Sequence, residues 1–141
     1  LRSYQEGEEE SRRKALELLE LFGLADRPYE EAKSLPYGKQ RRLEICRALA
    51  SDPKLLLLDE PAAGMNPQEV EELMHLITWV HEHFNMTILL IEHQMRVVMG
   101  ICPHVLAMDF GEVVARGTPE EIQKHPRVIE AYLGSEEVIV R

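Results

Sequence analysis

Cysteine is scarce in this chain: Cys46 and Cys102 lie far apart, and neither belongs to a Cys-x-x-Cys or Cys/His cluster. That excludes a disulfide framework and leaves two reduced core thiols with no assigned chemistry. No apolar run approaches the roughly 20 residues a membrane span needs, and the start, Leu1-Arg2-Ser3-Tyr4, has no signal-peptide apolar region. A membrane role would have to come through a partner. Basic charge is also short, with sixteen Lys and Arg against twenty-five Asp and Glu for a formal charge of -9. Direct nucleic-acid binding is therefore not expected, although a local anion site stays open. The string Gly-x-x-x-x-Gly-Lys-Ser/Thr is missing as well, since the Gly38-Lys39 pair lacks both the upstream glycine and the hydroxyl residue. The backbone cradle that such a loop makes for nucleotide phosphates is not encoded in these 141 residues.

What the chain does have is Lys54-Leu55-Leu56-Leu57-Leu58-Asp59-Glu60-Pro61. A four-leucine run too short for a bilayer reads as a strand covered on both faces, and ligands of open α/β sheets gather beyond the carboxyl ends of such strands. Asp59 and Glu60 stand at that edge. One carboxylate there can hold Mg²⁺, usually through water, while its neighbour orients or deprotonates an attacking water; alone, the same string could open an ordinary solvated loop.

Upstream, Ala15, Leu18, Leu19 and Phe22 share one face of a helix predicted from about Ser11 to Phe22, with Gly23 as its C′ residue. A second helix is expected from near Gly38, carrying Leu43, Ile45, Cys46, Leu49 and Ala50 inward and stopping before Asp52-Pro53. Downstream, Asn66-Pro67-Gln68-Glu69 is a capping box, opening a helix with Val70, Leu73, Met74, Ile77, Val80 and Phe84 at helical spacing. Thr87-Ile88-Leu89-Leu90-Ile91 then reads as a strand. Strand, helix, strand makes a βαβ unit, whose parallel strands would bring Glu92 and His93 out on the side of Asp59 and Glu60. A helix from Gln94 to about Ile101, a hairpin turning at Asp109-Phe110-Gly111-Glu112 and a second capping box at Thr118-Pro119-Glu120-Glu121 complete the reading. Met95, Met99 and Met108 are expected to fill core.

Together these segments resemble the ATP-binding subunits of ABC transporters, with the family's motifs in the family's order. Leu35-Pro36-Tyr37-Gly38-Lys39 falls at the signature, flanked by Ser34 and Gln40; Leu55 to Asp59 matches Walker B, with Glu60 as catalytic carboxylate. Ala63-Gly64-Met65-Asn66 stands at the D-loop, and His93 at the switch histidine. The finer likeness is to the ATPases of branched-chain amino-acid importers, carried by Gln40 to Ile45, Asp59 to Pro67 and Ala131-Tyr132-Leu133-Gly134. The resemblance implies an α/β fold: part of a helical signature subdomain over 1–51, then the rear of a P-loop NTPase core over 52–141. It also implies an enzyme that hydrolyses ATP with Mg²⁺, Asp59 on the metal side and Glu60 and His93 catalytic. The signature, 34–40, would serve a nucleotide held by a second ABC ATPase subunit, in a homo- or heterodimer. Transmembrane permease subunits would be the other partners, placing the protein peripherally at the cytoplasmic face of the cell membrane. Another solute, such as lipopolysaccharide, and a fragment inactive without a P-loop half stay open as alternatives.

Departures from the family pattern matter. Pro36 stands where the signature has Ser, Tyr37 at its first Gly and Lys39 at its Gln, so phosphate recognition is expected to lean on N–H groups near Gly38, on Lys39 and on the positive end of the helix. Ser34 offers the nearest hydroxyl. Asn66 replaces the usual Asp, and Gln94 follows His93 where Asp is common. Because the chain starts without Met in a charged stretch and has no P-loop, it is expected to be the rear portion of a longer ATPase. Arg41 and Arg42 are expected to ion-pair within the protein, and His75, His81 and His83, none paired at i,i+4, to sit on a solvated helix face.

Overall fold

The first helix starts earlier than its apolar stripe does. In the computed structural model, which describes residues 2–133, α1 runs Arg2–Leu21. Glu10 lies 3.6 Å from Arg13 and 3.4 Å from Lys14, and Arg13 lies 3.3 Å from Glu17, i,i+3 and i,i+4 pairs along the exposed middle of the helix. Ala15 is exposed and Phe22 buried. Gly23, at φ 66°, donates to the Glu20 carbonyl and Leu24 to the Leu19 carbonyl, the paired bonds of a Schellman ending.

A 3-10 turn, Ala32–Ser34, leads into α2, Tyr37–Leu49. Ile45, Cys46 and Leu49 point inward as expected, whereas Ala50 sits exposed at the C-cap. Strand β1 is Leu55–Asp59, α3 is Pro67–Phe84 and β2 is Thr87–Ile91. The strands pair in parallel, Leu55 opposite Thr87 through Asp59 opposite Ile91. Helix α3 buries Val70, Leu73, Leu76, Ile77 and Val80.

The expectation that β1 is covered on both faces is corrected. Leu56 is 5% exposed, but Leu55 is 50%, Leu57 64%, Leu89 56% and Ile91 58% exposed. Strand side chains alternate, so the parallel pair has one packed face holding Leu56 and one open apolar face.

The compact units divide between Ile91 and Glu92. The second contains α4, Met95–Ile101, then β3, Val105–Asp109, and β4, Glu112–Gly117, an antiparallel hairpin turning at Phe110-Gly111. Ala107 faces Ala115 and Met108 faces Val113, leaving Val114 as the extra residue of a bulge. Val114 joins Ala107, Ile122 and Val128 in this unit's core, with Met99 packed against it. Met108 is 46% exposed rather than a core filler, because it lies on the opposite side of β3 from Ala107; the Tyr132 hydroxyl donates to its carbonyl. Helix α5, Pro119–Gln123, opens on the Thr118/Glu121 capping box, and α6, Pro126–Val128, runs into a π turn, Ile129–Leu133. Gly134, the last residue of the Ala131-Tyr132-Leu133-Gly134 string, lies outside the described residues.

Candidate functional site

The end of β1 is a backbone bend. Asp59 is the last strand residue, and Glu60 turns off it at φ 43°, a left-handed conformation uncommon outside glycine. The Glu60 N–H donates to the Ile91 carbonyl at 2.9 Å, tying the two strand ends together. Pro61 and Ala62 are buried immediately behind, while both carboxylate residues are exposed. Burial of the following pair holds the acidic pair at the rim in a strained turn, a pattern typical of functional sites.

The turn continues with Ala63 N–H donating to the Glu60 carbonyl at 3.1 Å and Met65 N–H to the Ala62 carbonyl at 3.2 Å. Gly64 supplies the φ of 75° that closes it. Asn66 ends the loop as N-cap of α3: its side chain accepts from Gln68 and Glu69 N–H, both at 3.0 Å, and Glu69 accepts from the Asn66 N–H at 2.9 Å. The sequence-read box is present in full, so the Asn66 side chain is committed to the helix.

The segment 34–40 folds as a turn into a helix start. Pro36 is the N-cap of α2 and offers no side-chain acceptor; the first helical bond is Gln40 N–H to the Pro36 carbonyl at 3.0 Å. The N–H groups of Tyr37, Gly38 and Lys39 therefore precede the helix's own bonding, the arrangement that suits an anion. Gln40 turns back to donate to the Leu35 carbonyl at 2.8 Å. Lys39 Nζ lies 3.6 Å from Asp26, a loose surface pair that reduces its local charge without fixing it. Arg41 pairs with Glu44 at 2.7 Å, and Arg42 reaches Glu72 at 4.0 Å, the internal pairing expected of them.

Sequence reasoning missed the Tyr37 side chain. Its hydroxyl donates to the Ala63 carbonyl at 2.8 Å and accepts from Arg41 at 2.8 Å, while the Arg41 guanidinium lies 5.2 Å from its ring centre. The structure thus joins segment 34–40 to segment 63–66. The available signal was the i,i+4 spacing of Tyr37 and Arg41 on a helix, which permits a cation–π pair. Hydrogen bonds to Glu44 and then Tyr37 hold the Arg41 pKa above its ordinary value, against the opposing effect of burial.

His93 belongs to the second compact unit, two positions beyond the end of β2. Its side chain is 63% exposed, its N–H donates to the Glu92 carboxylate at 2.9 Å, and the Gln94 N–H donates to the same oxygen at 3.1 Å. Glu92 thus shapes the backbone on which His93 stands, a part not anticipated from sequence. On α3, His83 stacks on Trp79 at 4.8 Å and His81 bonds the Met86 carbonyl through Nδ1 at 2.7 Å. Among the described residues, no three of His, Cys, Asp and Glu gather to hold a metal. An exposed Asp59 nevertheless fits Mg²⁺, which characteristically takes one or two protein carboxylates and completes its shell with water and phosphate.

The sequence pattern of the family described as ABC transporter matches residues 2–63, and that described as branched-chain amino acid ATP-binding cassette transporter matches 112–138. The chain is 47% identical over 132 residues to the high-affinity branched-chain amino acid transport ATP-binding protein LivG of Escherichia coli K12, covering 94% of this chain and 52% of that protein. It is 44% identical, with the same coverage, to BraF of Pseudomonas aeruginosa, which carries the same description. The ADP-conformation crystal structure of MJ1267, an ATP-binding cassette of an ABC transporter, superposes with a TM-score of 0.81 at 29% identity, over 89% of this chain and 50% of that one. The chain spans about half the length of the curated relatives it matches.

Proposed function

From a chain that belongs to the ATP-binding cassettes of ABC transporters, we propose that it forms the rear part of a subunit whose ATP hydrolysis energises branched-chain amino-acid import. The observation that carries this reading is the parallel register of β1 and β2, whose carboxyl ends meet at Asp59 and Ile91, with Glu60 bonded across them at 2.9 Å. Carboxylates at the carboxyl rim of parallel strands stand where α/β nucleotide sites lie. The solute assignment rests on LivG and BraF and on the importer-type match at 112–138.

In this mechanism Glu60 accepts a proton from the water attacking the terminal phosphate, and His93 donates a hydrogen bond toward that phosphate and water. Asp59 would hold Mg²⁺ through water; the ion, when bound, neutralises developing phosphate charge. The 34–40 segment, with N–H groups at the start of α2, Ser34 and Lys39, faces a nucleotide held by a second ATPase subunit, and 63–66 follows as the D-loop. Residues 1–51 act as part of the helical signature subdomain and 52–141 as the rear of the ATPase core. Two such subunits closing on ATP would move a pair of permease subunits at the cytoplasmic membrane face; among the described residues no helix is long and apolar enough to cross a membrane itself. Lacking a Gly-x-x-x-x-Gly-Lys-Ser/Thr string, these 141 residues alone bind ATP weakly.

The test is a full-length subunit bearing Glu60→Gln. Hydrolysis falls by about 10²–10⁴ while ATP binding persists, and His93→Ala likewise lowers turnover more than binding. Undiminished turnover in Glu60→Gln removes Glu60 from the base role, and a reconstituted transporter that takes up no labelled leucine, isoleucine or valine refutes the solute assignment.

A further inference from the structure

We infer that Tyr37 is a positioning residue that ties the loop after the acidic pair to the start of α2, making the two motifs one mechanical element within a single chain. The phenol is fixed from both sides, its oxygen between the Ala63 carbonyl and Arg41, each at 2.8 Å, and its ring against the same guanidinium. Arg41 is itself anchored by Glu44 at 2.7 Å. The contact lies beside Gly64, the left-handed residue of the loop, where an added Cβ would sit in ordinary van der Waals contact, 3.7 Å from the Tyr37 oxygen. A second approach lies one residue along, because a Cβ on Gly38 would stand 3.9 Å from Oε1 of Glu69, the capping residue that holds the Asn66 N–H.

From this anchor the connection to the acidic pair is short. Tyr37 holds the Ala63 carbonyl, and the Ala63 N–H holds the Glu60 carbonyl at 3.1 Å. A phosphate seated on the N–H groups of Tyr37, Gly38 and Lys39 would therefore bear on Glu60 through two hydrogen bonds, and the backbone of Glu60 is already in a strained well that a small displacement can shift. The consequence for catalysis rests on the ATPase reading above; the mechanical link does not.

Tyr37→Phe in the full-length subunit tests both, since it keeps the ring beneath Arg41 and deletes only the hydroxyl. Amide hydrogen exchange at Ala63 and Met65 should rise about three- to tenfold, the loss of one ordinary hydrogen bond, with α2 amides beyond Gln40 unchanged. For ATP, kcat should fall about three- to tenfold with KM within about twofold, the split produced when geometry rather than binding is lost. Unchanged exchange at Ala63 overturns the link, and raised exchange with unaltered kcat overturns its role in the reaction. A wild-type subunit that hydrolyses no ATP would instead refute the proposed function, with the exchange comparison still deciding whether Tyr37 holds the loop.

Discussion

Asn66 stands at the last position of the loop and the first of a helix, so its replacement separates structural from catalytic demands. In Asn66→Ala, the Gln68 and Glu69 N–H groups both lose a 3.0 Å acceptor, while the Glu69 carboxylate keeps its own bond to the backbone N–H of residue 66. The N-cap is exposed, so water takes over part of what is lost, and the expected cost is about 1–1.5 kcal/mol, within the range for N-cap deletion. Asn66→Asp keeps the acceptor and adds a negative charge at the positive helix end, worth about 0.3–1 kcal/mol. The nearby Glu69 carboxylate offsets much of that gain, leaving this variant within about 0.5 kcal/mol of wild type. Trp79 is the chain's single tryptophan; it lies on α3, 5.6 Å from Phe22 and 4.8 Å from His83 between ring centres, and its fluorescence follows the capped helix through urea unfolding. An Ala variant as stable as wild type, or an Asp variant that loses as much as Ala, would refute the capping argument.

The left-handed φ of 43° at Glu60 predicts an unusual order of stabilities. Glu60→Gly should unfold at no lower denaturant concentration than wild type, whereas Glu60→Val should be about 1–2 kcal/mol less stable than the Gly variant, because a branched Cβ crowds this conformation; equal midpoints for the two would show that the turn relaxes. Burial raises the thiol pKa of Cys46 and of Cys102 above the ordinary value of 9.0, so the neutral thiols are favoured in the folded state. Their contribution to stability is complete below that value and is lost as pH rises through the raised folded values. Unfolding free energy measured between pH 8 and 11 should therefore drop more steeply in wild type than in a Cys46→Ala, Cys102→Ala double variant, and identical slopes would contradict the burial effect.

What could be read from the sequence was local chemistry or period. Both capping boxes needed only a hydroxyl or amide, a proline and a glutamate at fixed offsets, and both formed with reciprocal bonds. The strand over 87–91 and its parallel pairing to 55–59 followed from β-branched composition and the helix between them. The long start of α1, from Arg2, was not legible from an apolar stripe that begins only at Ala15. Leucines at 55 and 57 are chemically the same as leucine at 56; which of them meets a neighbour depends on what packs there, and a run of identical residues carries no alternation to reveal it.

The candidate site divides along the same line. Asp59, Glu60 and the start of α2 were placed by strand ends and helix starts, features that composition marks. The bond from Tyr37 to Ala63 crosses 26 positions, and no period or offset encodes a hydroxyl meeting a carbonyl at that separation. It arises because α2 begins at Tyr37 itself, one residue before the expected start at Gly38, so that the phenol rather than the glycine occupies the first helical position. On the signature and D-loop reading proposed above, Tyr37 stands where the family has its first Gly, and its side chain is what reaches the 63–66 loop. In this fold Tyr37 is the source of an intramolecular tie, and its effect belongs with the loop that carries Glu60 as much as with the helix that carries Lys39.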